Sequence, residues 1–330
     1  MNATINLEKH FPVLLNELVS IISPLYGGTF IDCTFGQGGY SKKILENKKN
    51  NIIALDRDKD VHKYSSSLKI KYKDRFKFYN IKFSQLEKIK FKNNNLKAII
   101  FDLGYSISQI KNSQKGLSFL DKGKLNMKMG INQFSAHDVI SNMDENNLTK
   151  VFKIFGEERY SKKISREIVK KREDNIIKTE DLVKIIDSVK KYQKSKIHNS
   201  TKVFQALRIL VNKEISELIN ALIISFNLIP VGGIIAVITF HSIEDKIVKF
   251  FLKHYSEERN SSRYIPEAES SEKYFKLTHK KPILPSSSEI IKNPPSRSAK
   301  LRYGIKINQN CNFNDFRDKF KYLTDVEELI

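Results

Sequence analysis

The 330-residue chain predicts an α/β fold built on a parallel sheet. Three observations carry that expectation. Short apolar runs recur along the chain, each closed by a polar or glycine-bearing turn. A glycine-bearing loop joins the first run to helix-like sequence. Another apolar run follows a long amphipathic stretch, as strands and helices do when they alternate.

In chain order, the first three runs are "GTFIDCT" (28–34), "NIIALD" (51–56) and "KAIIFDLG" (97–104). They read as buried parallel strands, because they are apolar throughout and do not alternate. A stretch of about ninety residues then reads as loop and helices. In "SAHDVISNM", Ser135 stands three before Asp138, a capping-box spacing. "YSKKISREIVKKRED" and "TEDLVKIIDSVKKYQ" are amphipathic and basic. One long helix is expected over 200–228, with Val203, Leu207, Leu210, Val211, Ile215 and Leu218 at helical spacing. The fourth strand is "GGIIAVITF" (232–240), and after about residue 257 a polar, Pro/Ser-rich tail ends in strand-like "AKLRYGIKI". The expected organisation is a core of residues 1–111 and 200–330, interrupted by a helical subdomain over 112–199 that recognises substrate. No internal repeat is evident.

Composition narrows the function classes. Hydrophobic residues make up 40% of the chain, enough for a sizeable core. Two cysteines, Cys33 and Cys311, exclude a disulfide framework and a cysteine zinc site and fit a reducing compartment. The N-terminus mixes charge into its apolar run, so no signal peptide is expected, and the longest apolar stretches are about half the length that spans a bilayer. A cytoplasmic protein without a membrane partner is the expectation. The formal net charge is +21. It attracts polyanions, nucleic acid above all. Most of the excess is lysine, which supplies point charge to phosphates rather than a planar fork.

The loop reads Asp32-x-Thr34-x-Gly36-x-Gly38-Gly39. It is not a P-loop, because no Gly-Lys-Ser/Thr follows. It approaches the dinucleotide pattern, with Ser41 in the third glycine's place. An acid at Asp32 would repel a pyrophosphate and suit an ammonium group, such as that of S-adenosylmethionine, while the following helix could meet a carboxylate. Asp56 ends the second run, where an acid holds ribose hydroxyls in either ligand class. Asp102 ends the third, at the sheet edge where ligands bind in doubly wound folds. The residues leave a methyltransferase and a nucleotide-dependent oxidoreductase both open.

"HFPVLLNELV", "DCTFGQGGYSKKIL", "FDLGYSISQI", "GLSFLDKGKLNMKM", "FGEERYSKKISREIV", "HNSTKVFQALRILVNKEI", "GGIIAVITFHSIEDKIVKFF" and "PPSRSAKLRYGIK" together resemble the RsmH (MraW) family. Its members are bacterial methyltransferases acting on the exocyclic N4 of a cytidine in the decoding region of 16S rRNA. The resemblance runs from His10 to about Lys306. It implies a Rossmann-like class I methyltransferase sheet with helices on both faces, a helical insertion, S-adenosylmethionine as methyl donor and no metal. The partner it implies is 16S rRNA within the small ribosomal subunit. By motif, the cofactor residues would be Gly38, Gly39, Tyr40, Asp56, Phe83, Asp102 and Gln109. The chain departs from the family at Tyr40, where His is usual, at Asn126, Lys128 and Gly130 of "LNMKMG", which replace two acids and an arginine, and at Pro295, where Arg is common. The degraded "LNMKMG" motivates a rival reading as a catalytically weakened RNA-binding assembly factor.

For methyl transfer to a cytosine amine, the enzyme supplies alignment and acceptors that hold the amine hydrogens. Asp102 and His241 are the catalytic candidates. His241 could instead merely precede a helix, since Ser242 and Asp245 stand at capping-box spacing. His241, Glu244 and Asp245 match no strong metal signature. Lys162, Lys163, Arg297, Lys300 and Arg302 are candidate phosphate ligands, with Lys170, Lys171 and Arg172 beside them on basic helices expected over 159–172 and 184–196. "NPPS" (293–296) is similar to the Asn-Pro-Pro-aromatic motif of amino-group methyltransferases but lacks the aromatic, and it reads as coincidence.

Overall fold

The structure is a computed structural model that describes residues 12–90, 95–106, 109–110, 112–120, 122–130, 132–172, 178–191, 197–256 and 272–330. The chain forms two compact units. One comprises 1–104 and 218–317, the other 105–217 and 318–330.

The first unit is built on a seven-stranded sheet. Helix α1 (Leu15–Ile22) precedes β1 (Gly28–Asp32), α2 (Gly39–Leu45), β2 (Asn50–Leu55), α3 (His62–Tyr72), β3 (Phe76–Tyr79) and β4 (Leu96–Asp102). The strand order is β3-β2-β1-β4-β5-β7-β6, where β5 is Ile234–Thr239, β6 Phe275–Lys276 and β7 Lys300–Lys306. β1 to β5 run parallel, and β7 lies antiparallel between β5 and β6. Both alternating sets of side chains are buried: Phe30, Ile52, Ala98, Ile100 and Ile238 on one face, Ile31, Ile53, Ile99, Phe101 and Val237 on the other. That is why these runs read as continuously apolar. The topology is that of a Rossmann-like class I methyltransferase sheet. The chain winds outward through β2 and β3, then returns past β1 to β4 and β5, so the order reverses between β1 and β4. The crevice at such a reversal, at the strands' carboxyl ends, is where ligands bind in open α/β sheets.

The second unit is helical: α4 (Ala136–Asn142), α5 (Glu145–Ile154), α6 (Ser161–Lys171), α7 (Thr179–Val189) and α8 (Thr201–Asn212). The capping box of Ser135 and Asp138 forms. α6 buries Ile164, Ser165 and Ile168, leaving Lys162 and Lys163 exposed. The stretch over 184–196 is helical only to Val189, and 192–196 lie outside the described residues.

The expected long helix is two helices, and one strand was not anticipated. The long helix breaks at Lys213, whose φ is 49° and whose N–H meets the Ile209 and Leu210 carbonyls; α9 (Glu214–Leu228) starts immediately after. The helical unit runs from 105 to 217 and takes in 318–330, beside the 112–199 expected from the sequence. The cause is local. Glu327, near the end of α12 (Asn314–Glu327), accepts from the Ile215 and Ser216 amides at 2.7 and 2.8 Å, satisfying orphan donors of a helix start. Finally β3, four residues flanked by a basic run, was too short to stand out.

Candidate functional site

The site lies in the first unit at the carboxyl ends of β1, β2, β4 and β5. The loop after β1 is fixed by backbone bonds to both neighbours. Cys33 donates to the Ile100 carbonyl at 2.9 Å and Phe35 to the Leu55 carbonyl at 2.9 Å. The Phe35 ring packs on Phe76 and Phe78. Gly38 caps α2 with φ 75°, and a Cβ there would lie 2.7 Å from the Phe35 ring. A Cβ on Gly39 would collide with Pro12. The loop therefore has room for glycine alone at both positions, and its backbone stays bare toward the crevice.

Asp32 is fully buried. Its carboxyl accepts from the Ser41 hydroxyl at 2.6 Å and the Thr34 amide at 3.3 Å. Burial raises its pKa to about 6, against the lowering pull of those bonds. It braces the loop from beneath and does not face an ammonium group. The reasoning that used Asp32 to discriminate between ligands is thereby overturned, although the residue matters for the loop.

Asp56 follows β2. Its Oδ2 accepts from the Gly36 amide and its Oδ1 from the Asp58 amide, both at 2.8 Å. Each oxygen keeps a lone pair for a further donor. Burial raises its pKa to about 6 as well. Phe83 stands in a 3-10 turn past β3, partly exposed, its ring edge-on to Phe101 at 5.7 Å.

Asp102 ends β4 at the reversal point. The Thr34 hydroxyl accepts its backbone N–H at 2.7 Å, bridging β1 and β4. Its Oδ1 is buried without a hydrogen-bond partner among the described residues. Burial first, then the Asp32 charge, push its pKa up to about 8. A buried carboxyl oxygen left open at a ligand crevice fits a cationic or hydrogen-donating ligand. Tyr40 is not open to a ligand through its side chain. It is buried and donates to the Val13 carbonyl at 2.6 Å.

His241 follows β5 and is itself the N-cap of α10 (Ser242–His254). Its Nδ1 accepts from the Glu244 amide at 3.4 Å, and Glu244 accepts from the Phe240 amide at 2.8 Å and the His241 amide at 3.3 Å. The capping box thus pairs His241 with Glu244, one residue earlier than the expected Ser242 and Asp245. The His241 Nε2 stands 3.0 Å from the Glu244 carboxylate, an electrostatic contact without hydrogen-bond alignment. With Nδ1 holding a cap and the ring 9% exposed, the imidazole is placed as a structural element. Asp245 holds Arg302 at 2.7 Å and Lys300 at 3.1 Å. Arg302 is mostly buried in that bridge and Lys300 shares it, so neither is the free phosphate ligand expected. Burial works against the Asp245 carboxyl, and the two cations outweigh it to hold its pKa low. Arg297, Lys162 and Lys163 are exposed.

"NPPS" opens a 3-10 turn after α11 (Ser287–Lys292), with Ser296 fully buried. In the second unit, Gln109 accepts from the Ser106 amide at 2.9 Å, and Arg172 donates to the Met143 carbonyl at 3.2 Å. Sequence reading missed Asn212, which is fully buried. It accepts from the Met129 amide and Asn132 side chain at 2.7 Å and donates to the Met127 and Arg208 carbonyls at 2.8 Å. It holds the backbone of "LNMKMG" at Met127 and Met129, while the Asn126 and Lys128 side chains donate to the Gln114 and Gln133 carbonyls, each at 3.3 Å. Gly130 has φ 87°, a conformation that glycine adopts without strain. Nothing in the sequence singled out Asn212, since its helix also carries Thr201, Lys202, Gln205 and Arg208. Thr34 and Glu244 were also missed, though each lies inside a motif already singled out.

A model described as the MraW methylase family matches residues 7–307. The ribosomal RNA small subunit methyltransferase H of Bartonella quintana is 38% identical over 312 residues, 94% of this chain and 93% of the relative. The protein of the same name from Xanthobacter autotrophicus is 36% identical over 303 residues, 91% of this chain and 88% of the relative.

Proposed function

The chain belongs to the MraW methylase family, and from that premise we propose that it transfers the methyl group of S-adenosylmethionine to the exocyclic N4 of a cytidine in the decoding region of 16S rRNA. The observation that carries the reading is Asp102: a carboxyl at the reversal point of the sheet, where ligands bind in such folds, with its Oδ1 buried and without a hydrogen-bond partner among the described residues. When bound, S-adenosylmethionine supplies an electrophilic methyl group on a positively charged sulfur. The residues present fit it. Asp56 offers its remaining lone pairs to ribose hydroxyls, Gly38, Gly39 and Tyr40 offer backbone, and Phe83 offers a partly exposed ring beside Phe101. Gln109, in the second unit, is assigned a cofactor role by resemblance alone.

The cytosine N4 is a weak nucleophile because its lone pair is delocalised into the ring. Asp102 can accept an amine hydrogen, hold the amine out of plane and take the proton late. It must be ionised to do so. With its pKa at about 8 in the ligand-free protein, Asp102 becomes a carboxylate at neutral pH once a cation lies beside it. His241 and Glu244 fix the turn after β5 rather than moving protons. The target base must leave its stack to reach this edge, and the exposed Lys162, Lys163 and Arg297 offer charge to the surrounding RNA backbone. Substrate recognition by the helical unit, the small ribosomal subunit as partner and a cytoplasmic location belong to the same proposal; among the described residues no helix is long and apolar enough to cross a membrane.

The assembly-factor reading is not favoured, because relatives that match most of this chain are named methyltransferases. The oxidoreductase reading has no support beyond the glycine spacing. Incubation with labelled S-adenosylmethionine and unmethylated small subunits tests the proposal. Label is expected in RNA. RNA binding without label transfer would instead favour the assembly factor.

A further inference from the structure

Phe119, from "GLSFLDKGKLNMKM", and His198, from "HNSTKVFQALRILVNKEI", meet within the helical unit, and the methyl transfer proposed above uses neither. Their rings stack with centroids 4.4 Å apart and planes 12° from parallel. Phe119 is in turn edge-on to Phe204 of α8, at 5.7 Å and 86°. Phe204 is buried, Phe119 partly exposed and His198 exposed. Three rings thus lead from the core of the unit to its surface, and the outermost is an imidazole. That imidazole is held in place. The Ser200 amide donates to its Nδ1 at 3.2 Å, and the His198 carbonyl accepts from the Thr201 amide at 3.1 Å. With Nδ1 accepting, the neutral ring carries its proton on Nε2.

A residue that only caps a helix needs no apolar company at the surface, yet Leu120 is 79% exposed and Ile197 42% exposed. Each is the chain neighbour of one of the stacked rings. Exposed apolar groups gathered at an exposed ring mark an interaction surface, and the charge around it selects the partner. Lys191 is exposed and follows Lys190, which donates to the Asn199 carbonyl at 2.9 Å, one residue from His198. Lys202 donates to the Glu157 carbonyl at 2.7 Å, a neutral acceptor, so that bond leaves its charge unneutralised. The nearby acids are engaged: Glu158 pairs with Lys190 at 2.8 Å, and Asp187 accepts from the Asn199 side chain at 3.0 Å. A flat ring rimmed by cations suits an unpaired nucleotide, whose base stacks while its phosphates meet lysine. We propose that the Phe119–His198 pair is a stacking platform for one unpaired base of the substrate RNA, with Lys191 and Lys202 beside the adjoining phosphates. One face of the imidazole lies on Phe119, and the other receives the base. The platform contributes binding rather than chemistry. It rests on the methyltransferase reading proposed above.

The test uses the full chain with unmethylated small ribosomal subunits and with protein-free 16S rRNA, comparing wild type, His198→Ala, His198→Tyr and His198→Trp. His198→Ala is expected to raise the KM for subunits about tenfold and leave kcat and S-adenosylmethionine affinity unchanged, since stacking one base is worth roughly five- to hundredfold in binding. His198→Tyr keeps a ring but cannot accept from Ser200 as Nδ1 does, and it should bring the KM back to within about threefold of wild type. A purely structural role predicts that Tyr fails as Ala does. The chain has no tryptophan, so the indole of His198→Trp reports alone, and its emission should be quenched by subunits and by protein-free rRNA alike. An unchanged KM in His198→Ala, a Tyr variant no better than Ala, or emission indifferent to bound RNA overturns the inference. Quenching by subunits alone would put a ribosomal protein on the platform and overturn it as well. Failure of the underlying reading looks different: wild type transfers no methyl group to subunits, while the emission of His198→Trp, which needs only binding, still decides whether a base stacks there.

Discussion

Asp102→Asn should make the ligand-free protein more stable as pH rises, while abolishing its activity. The change keeps the shape of the side chain and removes the charge. In the folded chain the Asp102 pKa is raised from 3.8 to about 8. A carboxyl whose folded pKa lies above its unfolded value binds its proton more tightly when folded. Its stabilising contribution is complete below about pH 4 and is lost as pH rises toward 8. Roughly four units at 1.36 kcal/mol each set an upper bound on the order of 5 kcal/mol. Asp32 and Asp56, each raised to about 6, add a slope in the same direction that wild type and variant share. Urea unfolding at half-unit steps from pH 4.5 to 8.5 measures the difference. The two stabilities should be similar near pH 4.5 and diverge upward, with the variant ahead by several kcal/mol at pH 8.5. Parallel curves would refute the claim that Asp102 is a buried acid held near neutrality.

Other expectations follow from single contacts. His241→Asn should keep methyl transfer within severalfold of wild type, because asparagine is a good N-cap, whereas His241→Ala should lose about 1 kcal/mol of stability; a hundredfold loss of rate in a stable Asn variant would restore the imidazole as a base. Asn212→Ala strands several buried backbone groups and should cost about 3 kcal/mol, read as a lower urea midpoint; a change below 0.5 kcal/mol, on the order of an ordinary surface substitution, would contradict its bracing role. Lys162→Ala with Lys163→Ala should lower the salt slope of RNA binding by about one to two while leaving stability unchanged. Arg302→Ala should do the reverse, since its guanidinium is committed to Asp245.

The fold was legible where physics is local. Buried parallel strands are apolar throughout, so 28–34, 51–56, 97–104 and 232–240 announced themselves, and Ser135 marked its own helix start. What escaped depended on partners distant in sequence. Nothing near Lys213 says that Glu327 will cap the helix beginning at 214. Nothing in "RYGIKI" says that Asp245 will claim Arg302. The site shows the same division. Asp56 and Asp102 stand out in the sequence because strand ends are informative, but the facing of a carboxylate is not local. Asp32 looked equally available and turned inward to hold Ser41. Tyr40 was read as a loop contact, and the buried hydroxyl reaching Val13 could be seen only in three dimensions.

The central claim is that the crevice around Asp102 performs methyl transfer to a cytidine N4. Its most direct test is mass spectrometry of nucleosides from unmethylated 16S rRNA in small subunits, after incubation with this protein and isotopically labelled S-adenosylmethionine, beside Asp102→Asn as control. The account predicts labelled N4-methylcytidine at one decoding-region position with wild type and none with the variant. Label on another base, or undiminished N4-methylcytidine with Asp102→Asn, would contradict it.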